Sequence, residues 1–169
     1  MVVGIVAGVA ALVIILLIMI VSRRKKKDKE QEIKAASMLL KERQLRNAID
    51  MNKKGGAPRE QLILVITWKD DKKRKFIFDP AIGVRIGRGR EENQICVPLD
   101  TVSQKHCIIF SNNGYLYVKD MNSANGTYLK RGLKTYLVRD SLLCRDGDQI
   151  IVGGIPFKIR TFWIDSAYI

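Results

Sequence analysis

The chain has 169 residues, 30 of them Lys or Arg against 17 Asp or Glu, for a formal charge of +13. That length holds one ordinary domain with extensions or two very small ones, and 47% apolar residues is too many for a wholly disordered chain. The apolar residues are unevenly spread, because Met1–Val21 contains only apolar residues and Gly. Composition thus points away from a fully soluble chain, a multi-pass membrane protein and a large enzyme.

Val2–Val21 is an uninterrupted run of 20 such residues. As a helix it would be about 30 Å long, the thickness of a bilayer's hydrocarbon core. A secretory signal peptide would carry its basic residues before the apolar run, whereas here Arg23-Arg24-Lys25-Lys26-Lys27 follow it. The reading is a transmembrane anchor over residues 1–22 in the cell membrane, with a short N-terminus outside and the remainder cytoplasmic. Residues 2–27 are then expected to contact membrane lipid.

Residues 23–60 read as a basic juxtamembrane linker, partly helical. Lys29–Met51 is rich in good helix formers, with favourable Glu30/Lys34 and Glu42/Arg46 pairs. Its apolar stripe is too broken for a coiled coil. Gly55-Gly56 and Pro58 end the segment and mark a domain boundary. Ser22–Glu60 holds 13 Lys and Arg against 6 Asp and Glu, so more than half the excess charge lies in this linker. High overall basicity is therefore weak grounds for a nucleic-acid partner, and none is expected.

From Gln61 the pattern changes. Leu62–Trp68 is β-branched and aromatic, Lys75–Phe78 returns after a polar turn, and further short strands are expected at 84–87, 95–97, 107–110, 115–119, 127–129, 136–138, 149–152 and 157–162. Asn112-Asn113-Gly114, Asn125-Gly126 and Asp146-Gly147-Asp148 supply the turns between them. This spacing predicts an all-β antiparallel sandwich over residues 61–169, with no helix of useful length after residue 60. Cys96, Cys107 and Cys144 form no CxxC pair and read as reduced thiols. With a single His they are too few and scattered for a metal site.

Binding in a sandwich belongs to the loops, and three loops here have unusual composition. They are Ile86-Gly87-Arg88-Gly89-Arg90, with Asn93 and Ile95 beyond it; Asp100 to His106, containing Ser103-x-x-His106; and Asp120 to Tyr128, containing Ser123-x-Asn125-Gly126-Thr127. Gly147-Asp148 to Gly153 follows. Four such pieces in this order resemble the forkhead-associated (FHA) domain family over roughly residues 61–165. The whole arrangement is similar to small bacterial membrane-anchored proteins of that family.

The resemblance implies recognition of phosphothreonine peptides without cofactor, metal or catalysis. Arg88 offers a planar fork of donors, Ser103 a hydroxyl, and Gln104 a side-chain amide to a doubly charged phosphate. Gln104 stands where many relatives carry Arg or Asn, which lowers the expected affinity. Asn125 carries over as the residue that holds the peptide main chain, and Lys130 and Arg131 as readers of acidic residues after the phosphothreonine. Gly87, His106, Gly126 and Thr127 carry over as supports of the loops. The implied partner is a threonine-phosphorylated protein, such as a membrane Ser/Thr kinase or its substrate, recruited by a membrane-tethered adaptor. The alternative is a phosphate-independent assembly module in a membrane complex for secretion or cell division.

Overall fold

The computed structural model describes residues 2–49, 60–69 and 73–165, with side chains over 13–42, 60–69 and 74–164. One helix, α1 (Val2–Ile49), precedes the strands. Its residues fall in two compact units, one ending at Ala35 and the other beginning at Ala36 and holding all the strands.

The expected single-pass anchor is overturned: among the described residues no helix is long and apolar enough to cross a membrane. The described apolar side chains of α1 run only from Val13 to Val21 before Ser22 and the charged Arg23–Lys27. That stretch is about 14 Å of helix, half of what a hydrocarbon core requires. Residues 1–12 of the expected anchor lie outside those whose side chains are described. The expectations of a cell-membrane location, an outside N-terminus and lipid contact through residues 2–27 lose their support with it.

Two sheets form from the sequence after residue 60. The larger has the order β2 (Lys73–Phe78), β1 (Glu60–Lys69), β11 (Ile155–Asp165), β10 (Gln149–Val152), β7 (Thr127–Arg131) and β8 (Lys134–Leu137). The smaller has the order β4 (Ile95–Cys96), β3 (Val84–Gly87), β5 (Cys107–Asn112), β6 (Tyr115–Asp120) and β9 (Ser141–Cys144). After residue 60 the described helix content is a single 3-10 turn, Pro80–Ile82. The strands match the expected segments except β9, a short polar-flanked run that carries little β signal.

The expected all-antiparallel arrangement needs one correction. β3 and β4 pair in parallel, Ile86 with Ile95 and Gly87 with Cys96, which makes the smaller sheet mixed. The chain leaves β3 through Arg88–Asn93 and returns along the same edge instead of making a hairpin. Val97 N–H then donates to Gly87 O at 2.9 Å and secures the return.

Between the sheets lies one apolar core that includes Leu64, Ile66, Ile86, Ile109, Leu129, Ile150, Phe157 and Ile159, all fully buried. Alternation along β1 explains the layering: Leu64 and Ile66 face this core, while Ile63 and Val65 face the opposite side. On that opposite side Ala36 and Leu40 of α1 pack with Ile63, Val65 and Ile164, flanked by Ile77 and Phe162. The far side of this sheet is thus partly apolar because a helix turn covers it. Leu40→Ala should lower stability by about 2–4 kcal/mol in chemical denaturation, comparable to a truncation between the sheets.

The thiols sort by burial. Cys107 is buried, and burial, reinforced by the Asp120 charge, pushes its thiol up. Burial, then the charge of Asp148, pushes Cys144 up to about 12. Cys96 is half-buried. Native alkylation at neutral pH should therefore label Cys96 first and reach Cys107 and Cys144 only after unfolding, as mass spectrometry would show.

Candidate functional site

The three loops singled out by composition come together at one end of the sandwich, joined by hydrogen bonds between them. At the end of β3, Gly87 is forced by space: a Cβ there would lie 2.3 Å from Gln104 O and 2.7 Å from Asn93 Oδ1. Arg88 N–H donates to Ser103 O at 2.9 Å, and Gly89 N–H to Gln104 O at 3.1 Å. The first loop is thus zipped to the second along the backbone. Asn93 completes the seam, its Nδ2 donating at 2.7 Å to both Gly89 O and Gln104 O.

His106 organises the second loop. Its ring is fully buried. Ser103 N–H donates to Nδ1 at 3.1 Å, so the proton sits on Nε2, which faces Gly126 O at 3.2 Å. Its own N–H donates to Ile86 O and its carbonyl accepts from Met121 N–H. One imidazole therefore spans the second and third loops, and its backbone ties both to β3.

Asp120, at the end of β6, shapes the third loop. Its carboxylate accepts from Ser123 N–H at 2.9 Å, from Ser123 Oγ at 2.6 Å and from Thr127 Oγ1. Burial pushes this carboxyl up, but the bonds from Ser123 and Thr127, with His106 nearby, outweigh that and hold it below the ordinary range. Gly126 then takes φ +73°, and a Cβ there would stand 3.1 Å from Leu137 Cδ1. Ala124 N–H donates to Ser103 Oγ at 3.0 Å, and Asn125 Nδ2 to Thr101 O at 2.8 Å.

Two donors are left facing outward. Ser103 Oγ accepts from Ala124, which directs its own proton away from the loop and toward an incoming acceptor. Arg88 is held at its backbone while its side chain is 42% exposed. Its guanidinium lies 3.6 Å from the Asp100 carboxylate, which is itself fully exposed. An ion pair of that kind is weak and exchangeable. Gln104 is exposed beside them, and Lys105 pairs with Glu92 at 3.1 Å.

The structure thus brings together Gly87, Arg88, Ser103, Gln104, His106, Asn125, Gly126 and Thr127. It does not bring Lys130 and Arg131 to them. Lys130 stands exposed on β7, paired with Gln149 and Thr135 across its neighbours. Arg131 is committed internally, with Nε and Nη2 on the buried Asp148 carboxylate at 3.0 and 2.7 Å and Nη2 also on Leu143 O. Asn93 and Asp120 carry more of the loop architecture than their sequence context indicated. Both were visible as polar residues flanking strands, but nothing local showed that Asn93 would reach two carbonyls eleven residues apart in sequence or more.

With this geometry described, the comparisons with known proteins are specific. The family model of the FHA domain matches residues 84–153. The β-sandwich is an FHA domain. Among solved structures, the FHA domain of a hypothetical protein from Arabidopsis thaliana is similar at 24% identity, covering 68% of this chain and 97% of that one, with a TM-score of 0.52. The FHA domain of the CT664 protein from Chlamydia trachomatis is similar at 17% identity, covering 59% and 96%, with a TM-score of 0.51. EmbR of Mycobacterium tuberculosis is similar at 20% identity, covering 68% of this chain and 28% of EmbR, with a TM-score of 0.50. No curated protein matches the sequence.

The depressed Asp120 carboxyl fixes how this FHA domain responds to acid. Its stabilising contribution is complete above the unfolded value of 3.8 and is lost as pH falls through its lower folded value. Asp120→Asn should be less stable than the parent at pH 7 and should show a flatter fall in stability below about pH 5. Denaturation midpoints measured from pH 7 to pH 2.5 check both.

Proposed function

We propose that the FHA domain binds phosphothreonine peptides and that the protein is a non-catalytic adaptor for threonine-phosphorylated partners. The observation that carries this reading is the pairing of Arg88 and Ser103. Two adjacent loops are zipped by the Arg88 N–H to Ser103 O bond, and each sends a donor outward from a rigid backbone. A phosphate with nearly two charges and three acceptor oxygens suits a guanidinium and a hydroxyl so placed. EmbR, similar in fold, has been solved in complex with a low affinity phosphopeptide. That ligand class supports the same reading here.

In this reading Gln104 lends a neutral amide to the phosphate. Asn125 holds its loop through Thr101 and keeps its amide oxygen for the peptide main chain. Gly87, Asn93, His106, Gly126 and Thr127 position these groups without touching the ligand. Lys130 is an exposed cation on β7 available to acidic residues beyond the phosphothreonine, whereas Arg131 is held by Asp148. Among the described residues no group of three or more His, Cys, Asp or Glu could hold a metal ion, and the reading uses none.

Matched peptides with and without phosphate on threonine test it by calorimetry. The full chain should prefer the phosphorylated peptide, and Arg88→Ala should weaken that binding by about ten- to a hundredfold, the value of a charge-assisted hydrogen bond. Equal binding of both peptides, unchanged by Arg88→Ala, would replace this reading with the phosphate-independent assembly module. A second measurement uses the Arg88–Asp100 contact. Phosphate must displace Asp100, so Asp100→Asn should tighten binding by up to about fivefold, the upper end for an exposed ion pair.

A further inference from the structure

The larger sheet has a second face that the phosphothreonine reading does not use. Strand register places Lys75, Thr67, Lys158, Gln149, Lys130 and Thr135 in one row across all six strands, with their side chains on the side away from the core. The three lysines are exposed and stand two strands apart from one another. The row contains no acidic residue. Beside it run Pro156, Ile151, Tyr128 and Leu137, in register on the same face, with Tyr128 37% and Leu137 46% exposed. Thr67, Lys69, Gln149, Pro156 and Lys158 line a shallow depression between the two rows.

We propose that this face is a second binding surface, for an acidic protein segment in extended, polyproline II-like form. The spacing selects that occupant. Strands lie about 4.8 Å apart, so successive lysines of the row recur at about 9.6 Å. A polyproline II segment turns once in three residues with a rise of about 3.1 Å, so every third side chain lies on one side at about 9.3 Å. Carboxylates at every third position therefore meet the lysines in step, while intervening apolar residues lie along Pro156, Tyr128 and Leu137. Phosphates along a nucleic-acid strand recur far more closely, at about 3.4 Å of axial rise, and do not share this period.

The surface is separate from the phosphate loops, which permits a clean test on the full chain. The probe is a fluorescein-labelled, unphosphorylated peptide with Glu at every third position among Pro and Ala, compared with a peptide of the same composition whose Glu residues form one block. Anisotropy titration at low salt should show the spaced peptide binding at least about fivefold tighter. Lys75→Glu with Lys158→Glu should weaken it by about tenfold or more, and Lys75→Gln with Lys158→Gln by less, in that order of charge. Arg88→Ala should leave the spaced peptide's affinity within about twofold, since the phosphate loops are not involved. Equal binding of the two peptides would reduce the effect to net charge and overturn the proposal. Indifference to the lysine variants, loss on Arg88→Ala, or stronger binding of an oligothymidylate that displaces the peptide would overturn it equally.

Discussion

The binding end of this sandwich depends on one buried imidazole. His106 receives the Ser103 N–H on one ring nitrogen and faces the Gly126 carbonyl with the other, while its backbone joins Ile86 and Met121. Those four partners lie on β3, on its own loop and on the third loop. A buried polar ring costs free energy unless both nitrogens are engaged, and here both are. The arrangement is consequently all or nothing: loops that drift apart would strand a polar ring in an apolar core. Rigidity of the phosphate loops is therefore inherited from the folding of the whole sandwich.

Around that staple the polar residues divide into those that hold loops and those that face outward. Gly87, Asn93 and Asp120 satisfy or accommodate backbone groups that no strand pairs. Arg88 and Ser103 keep one group each for solvent or ligand. Anchoring through main-chain atoms while leaving side-chain donors uncommitted avoids the entropy cost of ordering a long side chain only when a ligand arrives. Arg131 makes the contrast, since its guanidinium is already satisfied by Asp148 and Leu143.

Much of this was legible in the sequence, for reasons particular to each part. Period-two alternation and turn residues located ten of the eleven described strands, because strands packed between two sheets must alternate. Ser141–Cys144 was missed since four residues with charged neighbours carry no usable period. Gly87, His106 and Gly126 could be placed by motif because each answers a local backbone demand. The parallel pairing of β3 with β4, the commitment of Arg131 and the packing of Leu40 on Ile63 and Val65 were not legible. Each depends on a contact between segments far apart in the chain, which local pattern does not encode. The apolar N-terminal run shows the opposite failure: composition alone read as an anchor a segment in which no described helix meets the requirement for crossing a membrane.

The parallel pairing of β3 with β4 has a geometric corollary. Antiparallel neighbours can be linked by two residues, but parallel ones oblige the chain to double back before it can run alongside itself again. The segment 88–94 is that return path, and Asn93 clamps it midway through two carbonyls. Shortening it would therefore detach the outermost strand instead of trimming a surface loop, whereas lengthening it at the exposed Arg90–Glu92 apex leaves both clamped ends in place. The span carrying the key guanidinium can thus grow during divergence but has almost no freedom to shrink.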